Sequence, residues 1–349
     1  NETIVVEKST LPVKTAETIK KILFADSNHK INDNEILTKF YVLSNPEFLA
    51  EGTAINDLEN PDRVLIGGES NEAINALKKI YLNWVPENKI ITTSLWSSEL
   101  SKLIANAFLA QRISSINSVS AICEETGADI QEVALAVGAD KRIGNHFIKA
   151  GPGFGGSCFK KDIFNLVYIC NHYGLYEVAS YWQKVIEIND WQQKRISTLI
   201  VDKLFGNLSG KKISILGFAF KANTNDTRES PSIKICKELL QESVNLSIYD
   251  PRVSRKQIAL DLEKPENLNT YKSNNEGSWI FCNSIQECTI NSDAILILTE
   301  WDEFREINWE EISKHMRKPS WVFDTRSIAD LNMAKKFGLN TWRVGMEYT

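Results

Sequence analysis

The sequence predicts an α/β protein: two Rossmann-like parallel-sheet units, the first incomplete, joined by a helical middle region with a long central helix. Residues 1–94 and 209–349 alternate short β-like runs with helix-like stretches, whereas residues 95–208 carry helix patterning alone. The chain has 349 residues, too many for one ordinary core of about 150. Hydrophobic residues make up 43% and charged residues 24%, the balance of a packed chain and not of a disordered one.

Ile4 to Val6, Phe40 to Leu43, Val64 to Gly67 and Ile90 to Thr93 read as strands, with helices at Val13 to Leu23 and Glu72 to Trp84 between them. This alternation predicts parallel βαβ units. At the first turn, Ser9-Thr10-Leu11-Pro12 sets a hydroxyl cap beside a proline. The first helix therefore either presents its N–H groups to an anion or is simply capped. Ser97 to Thr126 contains no Gly or Pro and stops at Gly127, as a long helix with a glycine terminus does. Asp129 and Glu132 form a capping-box pattern for a helix ending near Gly138. Lys161 to His172 and Glu177 to Leu204 complete the helical region. Strand grammar returns with Ile213 to Phe218, Leu246 to Tyr249, Ala294 to Leu298 and Trp321 to Phe323, with a helix at Ser232 to Leu240 and a polar surface insertion from Glu263 to Gly277.

Charge and cysteine usage narrow the function. Forty Lys and Arg face 45 Asp and Glu, a net charge of -5, with no basic block to neutralise a run of phosphates, so nucleic acid is not an expected partner. The six cysteines form no CxxC pair and no Cys/His ligand spacing, which argues against a disulfide framework and a metal site, and for a reducing compartment. No apolar run reaches the roughly 18 residues that cross a bilayer, and Asn1-Glu2-Thr3 begins no secretory signal. A cytoplasmic protein is expected, without a membrane partner. The missing initiator Met and the immediate β-like run suggest a chain trimmed inside a domain.

Gly151-Pro152-Gly153-Phe154-Gly155-Gly156 satisfies the pattern G-x-G-x-x-G. It is not a dinucleotide fingerprint, because no strand precedes it. Its chemical interest lies at its C-terminal end. Gly155, Gly156 and Ser157 lead to Cys158 where absent side chains open the backbone, with Lys161 and Asp162 three and four residues on. A helix starting near Ser157 would set all three on one face and make the cysteine nucleophilic through its positive end and the Lys161 ammonium. The competing reading is an inert buried thiol, which suits the other five cysteines.

Asn45 to Gly52 comes after a strand and holds Glu47 and Glu51 four residues apart, placed to orient water or to be solvated charge. Lys102 and Asn106 stand i, i+4 on an otherwise apolar stripe with Leu109 and Ile113, either a polar site or a lysine at the edge of a core. After the strand at Ile213, Gly217-Phe218-Ala219-Phe220-Lys221 sits where a nucleotide-binding turn belongs, with Ala219 and Ala222 in place of two glycines. Asp226 to Ser230 adds Arg228, a guanidinium suited to phosphate. The four histidines show no metal or triad pattern.

Taken together, Glu7 to Thr10, Asn45 to Gly52, Trp96 to Ser118, Gly153 to Asp162 and Phe218 to Ser230 resemble the nucleotide-sugar dehydrogenases, and the Trp96 to Thr126 stretch resembles their eukaryotic UDP-glucose branch. The resemblance implies NAD-dependent oxidation of UDP-glucose to UDP-glucuronate, through a thiohemiacetal and then a thioester on Cys158. It assigns Lys102 and Asn106 to the developing oxyanion, Asp162 to a water-mediated base and Glu47 to the hydrolytic water. It places Ser9, Thr10, Leu11, Glu51, Lys161 and Arg228 at the NAD cofactor. Phe48, Leu49, Ala50, Lys149, Gly153, Phe154, Gly155, Phe220, Lys221 and Arg326 fall at the nucleotide sugar, with Arg142 reaching a neighbouring subunit's site. A homo-oligomer is implied, a dimer at least, with a hexamer as a trimer of dimers open. So is a division into a remainder of the NAD-binding domain (1–94), a helical dimerisation domain (95–208) and a UDP-sugar-binding domain (209–349). The family's glycine fingerprint half and polar tail have no counterpart in these residues, so UDP-sugar is expected to bind better than NAD+. Other readings are a dehydrogenase of GDP-mannose or a UDP-N-acetyl sugar, a noncatalytic nucleotide-sugar-binding scaffold, and a cysteine hydrolase, which the lack of a His near Cys158 disfavours.

Overall fold

A computed structural model describes residues 2–9, 14–27, 39–267 and 277–347. The chain divides into two compact units, Asn1–Ala107 and Phe108–Thr349.

The first unit contains β1 (Glu2–Glu7), α1 (Thr15–Ser27), β2 (Lys39–Ser44), α2 (Ala54–Glu59), β3 (Val64–Gly67), α3 (Asn71–Tyr81), β4 (Ile90–Thr93) and the start of α4 (Leu95–Thr126). Its sheet runs β1-β2-β3-β4. β1 pairs with β2, and β3 with β4, in parallel. The expected all-parallel sheet is corrected at its middle, where β2 and β3 meet antiparallel at Ser44 and Gly67. There Asn45 Nδ2 donates to Leu65 O at 2.7 Å, so a side-chain amide supplies a bond that a longer ladder would otherwise make. All four residues of β3 are buried. Leu43, Val64, Ile66, Ala73 and Ile74 pack around it, which is why a short unbroken apolar run sufficed to mark the strand.

In the second unit the rest of α4 is followed by α5 (Ile130–Gly138), α6 (Phe159–His172) and α7 (Tyr176–Lys203). Asp129 caps α5 by accepting the Gln131 N–H at 2.8 Å. Then come β5 (Lys212–Leu216), α8 (Pro231–Gln241), β6 (Asn245–Tyr249), α9 (Arg255–Leu262), β7 (Ser278–Phe281), α10 (Ile285–Thr289), β8 (Ala294–Ile297), α11 (Trp309–His315), β9 (Trp321–Asp324), α12 (Leu331–Lys336) and β10 (Asn340–Arg343). The sheet order β10-β9-β8-β5-β6-β7 is parallel throughout. This is doubly-wound topology, with its switch point between β5 and β8. The edge strands β7 and β10 escaped the sequence reading; β10 has polar residues at both ends, and β7 begins with one. Of the polar insertion read at Glu263 to Gly277, residues 268–276 lie outside the described residues.

Polar contacts fasten the C-terminal end to the helices. Arg343 Nη2 bonds Asp129 Oδ2 at 2.6 Å, the Gly345 N–H donates to Glu124 Oε1 at 2.7 Å, and Arg195 pairs with Glu124 at 2.9 Å. Burial pushes the Glu124 carboxyl up, and the Arg195 charge opposes that push. Among the described residues no helix is long and apolar enough to cross a membrane. Ile215 lies fully buried on central β5, so Ile215→Ala is expected to cost about 2–5 kcal/mol, read as a lower urea midpoint for the transition of the second unit.

Candidate functional site

Cys158 is the N-cap residue of α6 and its side chain is exposed, while the other five cysteines are buried. The helix start expected near Ser157 is therefore present, and the Asp162 N–H donates to Cys158 O at 2.9 Å. The two residues expected to share a face with Cys158 differ in burial. Lys161 is exposed and Asp162 is 0% exposed, because consecutive helical residues point about 100° apart. Asp162 therefore lies inward of the thiol while Lys161 faces outward.

The glycine run ahead of Cys158 is a close-packed seam. An added Cβ on Gly155 would lie 2.6 Å from Glu229 O and 2.8 Å from Phe220 Cβ, and one on Gly156, at φ +83°, would meet the Phe220 ring at 3.3 Å. The Gly156 N–H donates to Arg228 O at 2.8 Å, and Lys160 pairs with Glu229 at 2.9 Å. Arg326 donates to Leu298 O (2.7 Å) and Phe220 O (3.1 Å) and pairs with Glu300 at 3.1 Å. Lys221 sits over the Phe220 ring, 5.6 Å from its centroid. Gly153, Phe154, Gly155, Phe220, Lys221 and Arg326, singled out in sequence, are thus gathered within the second unit.

Three side-chain amides that the sequence reading missed hold the other side of this loop. Asn189 accepts the Phe154 N–H at 2.8 Å and donates to Phe154 O at 3.2 Å. Asn117 accepts the Gly151 N–H at 2.8 Å and Gln192 donates to Gly151 O at 2.9 Å. The available signal was amides among the apolar residues of two long helices. An adjoining cleft of about 460 Å³ is lined in part by Phe154, Lys160, Asn189 and Lys234. Its lysines are matched by local acids, Lys160 by Glu229, Lys234 by Asp190 at 3.4 Å and Lys237 by Glu263 at 2.6 Å, which leaves it poorly suited to a polyanion.

Arg142 and Arg228 each fold back on the aspartate two residues earlier. Arg142 pairs with Asp140 at 2.6 Å and Arg228 with Asp226 at 2.5 Å. Arg142 and Lys149 are exposed.

In the first unit, Lys102 donates to Asn106 at 3.4 Å and lies 5.1 Å from the centroid of Phe48, whose ring also carries the Arg63 guanidinium at 3.8 Å. Glu47 pairs with Lys8 at 3.3 Å. Lys8 donates to Asn45 (3.1 Å) and Tyr81 (2.9 Å), and the Tyr81 hydroxyl donates to Asn45 Oδ1 at 2.6 Å. This Lys8–Asn45–Tyr81 hub, which holds Glu47, was also missed. Its members lie far apart in sequence and meet only through the sheet. Leu49 is half-buried, and Ala50 and Glu51 are exposed at the turn before α2.

N–H groups at the start of α1 and at the Gly217 turn are bonded within the chain. At α1 the N–H groups of Lys14 and Ala16 donate to Glu99 at 2.7 and 2.9 Å. Ser9 is exposed beyond β1, and Thr10 and Leu11 lie outside the described residues. At the Gly217 turn, the N–H groups of Phe218 and Ala219 donate to Asp250 Oδ2 at 2.7 and 3.0 Å. A phosphate cannot use N–H groups already bonded to a buried carboxyl. Within the first unit, exposed Ser9 and Glu51 offer a hydroxyl and a carboxyl group of the kind that binds a dinucleotide's ribose.

A doubly-wound parallel sheet with its switch point between β5 and β8 is an architecture of nucleotide-binding enzymes. The chain matches three parts of one family: residues 1–85 its NAD binding domain, residues 96–191 its central domain and residues 214–331 its UDP binding domain. It belongs to the UDP-glucose/GDP-mannose dehydrogenase family, and NAD is its cofactor. It is 51% identical to UDP-glucose 6-dehydrogenase 4 of Arabidopsis thaliana over 99% of this chain and 72% of that protein, and 55% identical to UDP-glucose 6-dehydrogenase of Mus musculus over 94% of this chain and 65% of that protein. A solved UDP-glucose dehydrogenase from Pyrobaculum islandicum superposes with a TM-score of 0.82 at 28% identity, covering 99% of this chain and 71% of that one.

Glu7, 8% exposed, stands against Glu99. Burial, then the Glu99 charge and a hydrogen bond to Glu99, push the Glu7 carboxyl up from 4.5 to about 7. The folded form therefore prefers the protonated acid. Its contribution is complete below pH 4.5 and disappears as pH rises through about 7. The urea midpoint of the first unit is expected to fall across that window, and Glu7→Gln to flatten the profile.

Proposed function

We propose that this chain oxidises the C6 alcohol of UDP-glucose to the carboxylate of UDP-glucuronate. The reading is supported most by one observation: an exposed thiol at a helix start, just past a glycine seam packed on Phe220. NAD+ held by Ser9, Thr10, Leu11, Glu51, Lys161 and Arg228 supplies a hydride acceptor twice per sugar, so that one water is consumed and two NADH are formed.

The chain's own residues divide the remaining work. Phe48, Leu49, Ala50, Lys149, the Gly153 to Gly155 loop, Phe220, Lys221 and Arg326 bind the nucleotide sugar. Because the Gly217 turn is closed by Asp250, diphosphate recognition falls to side-chain cations. Asp162 removes the C6 hydroxyl proton through water, and its burial keeps it from bulk solvent. The Cys158 sulfur adds to the C6 aldehyde, and Lys102 with Asn106 stabilises the oxygen that becomes negative. The thiohemiacetal cannot diffuse away; once oxidised it is a thioester, and Glu47, steadied by Lys8, orients the water that cleaves it.

The assembly we propose is a homo-oligomer, a dimer at least, in the cytoplasm, with Arg142 released from Asp140 to reach a neighbouring subunit. Exposed Phe108, Phe164, Tyr168 and Tyr176 on the helical region support an oligomer. The division at 94 and 208 belongs to the same reading.

Turnover is expected to yield two NADH per UDP-glucose by absorbance. Cys158→Ser is expected to lose at least about 10³-fold in kcat, and Glu47→Gln to accumulate a sugar adduct on Cys158 visible by intact mass. One NADH with released aldehyde, or oxidation of GDP-mannose in preference, would contradict the proposal.

A further inference from the structure

We infer that Asn117, Asn189 and Gln192 are positioning residues for the sugar nucleotide, their amides setting the shape of the 151–156 loop before substrate arrives. The inference deepens the proposed function and rests on it for the identity of the ligand.

Gly151 and Phe154 are buried, outside any helix or strand, and each has both peptide groups occupied by helix side chains. Asn189 takes the N–H and the C=O of Phe154, at 2.8 and 3.2 Å. Asn117 takes the N–H of Gly151 at 2.8 Å and Gln192 its C=O at 2.9 Å. A buried loop must find partners for these groups, but backbone or water would ordinarily supply them. Here two helices, α4 and α7, supply them, with Asn189 and Gln192 three residues apart on one helix. Between the clamped peptides, Gly153 adopts φ +122°, and an added Cβ there would lie 2.6 Å from Asn189 Oδ1. The loop's conformation and the amide's position therefore define each other.

The clamp also carries a stability cost. Among the described residues, Asn117 Nδ2 and Gln192 Oε1 are buried without a hydrogen-bond partner. Apolar packing of the same volume would avoid those two orphaned atoms. A loop held rigid from behind presents its front, where Gly155 and Gly156 meet Phe220, in the bound shape, and so lowers the ordering cost of binding.

The test uses Asn189→Ala and the near-isosteric Gln192→Met in the full chain. Amide hydrogen exchange should accelerate at Phe154 in the first variant. In both, the Michaelis constant for UDP-glucose should rise about tenfold, the worth of roughly one hydrogen bond, with kcat within about twofold and the NAD+ constant unchanged. Unchanged Michaelis constants, or kcat falling with the folded fraction alone, would reduce the amides to packing and overturn the inference. If the parent chain oxidises no UDP-glucose, the proposed function fails separately. Calorimetry with UDP then decides the clamp: about tenfold weaker binding in both variants upholds it, and equal binding refutes it.

Discussion

Six consecutive residues, Gly151 to Gly156, are buried without belonging to a helix or strand, and the second unit is organised around satisfying their peptide groups. Helix amides meet Gly151 and Phe154 from one side, and the Arg228 carbonyl meets Gly156 from the other. Backbone that cannot reach water must be bonded internally. That requirement explains why polar residues stand inside α4 and α7, and why glycine alone fits against Glu229 and Phe220. Cys158 inherits its position from this seam, with an open side chain at the helix start just beyond it.

The same rule shapes the ends of the strands. Glu99 receives the first N–H groups at α1, Asp250 those after β5, and Asp324 those of Arg326, Ile328 and Ala329 at 2.8–2.9 Å. These are the positions at which doubly-wound proteins commonly hold a ligand's phosphate. Filling them with carboxyl groups satisfies the N–H groups of each turn from within the chain. Arg326 is tied to two carbonyls and Glu300, and Arg142 and Arg228 are each paired with an aspartate.

The two units handle buried charge differently. In the first, Glu7 and Glu99 face each other, and proximity together with burial holds a proton near neutral pH. In the second, Glu124 is buried but matched by Arg195 and the Gly345 N–H. An acid with only another acid for a neighbour titrates late, and one with a cation beside it resists that shift.

Periodicity determined the α/β class, the long helix ending at Gly127, the buried strand Val64–Gly67, the strand Ile90–Thr93, and the helix start beside Cys158, because each depends on neighbours within one or two turns of chain. The edge strands β7 and β10 were not found in the sequence, and the antiparallel meeting of β2 and β3 was not legible, since strand direction is decided by the ladder that forms. Nor was it visible that Glu99 would take the N–H groups of Lys14 and Ala16, or Asp250 those of Phe218 and Ala219, since both acids come from distant sequence. Only the tertiary structure could bring Asn117, Asn189 and Gln192 to one loop. Hydrogen-bond partners separated by more than thirty residues leave no period in a sequence, and burial, which makes them obligatory, exists only once the chain has folded.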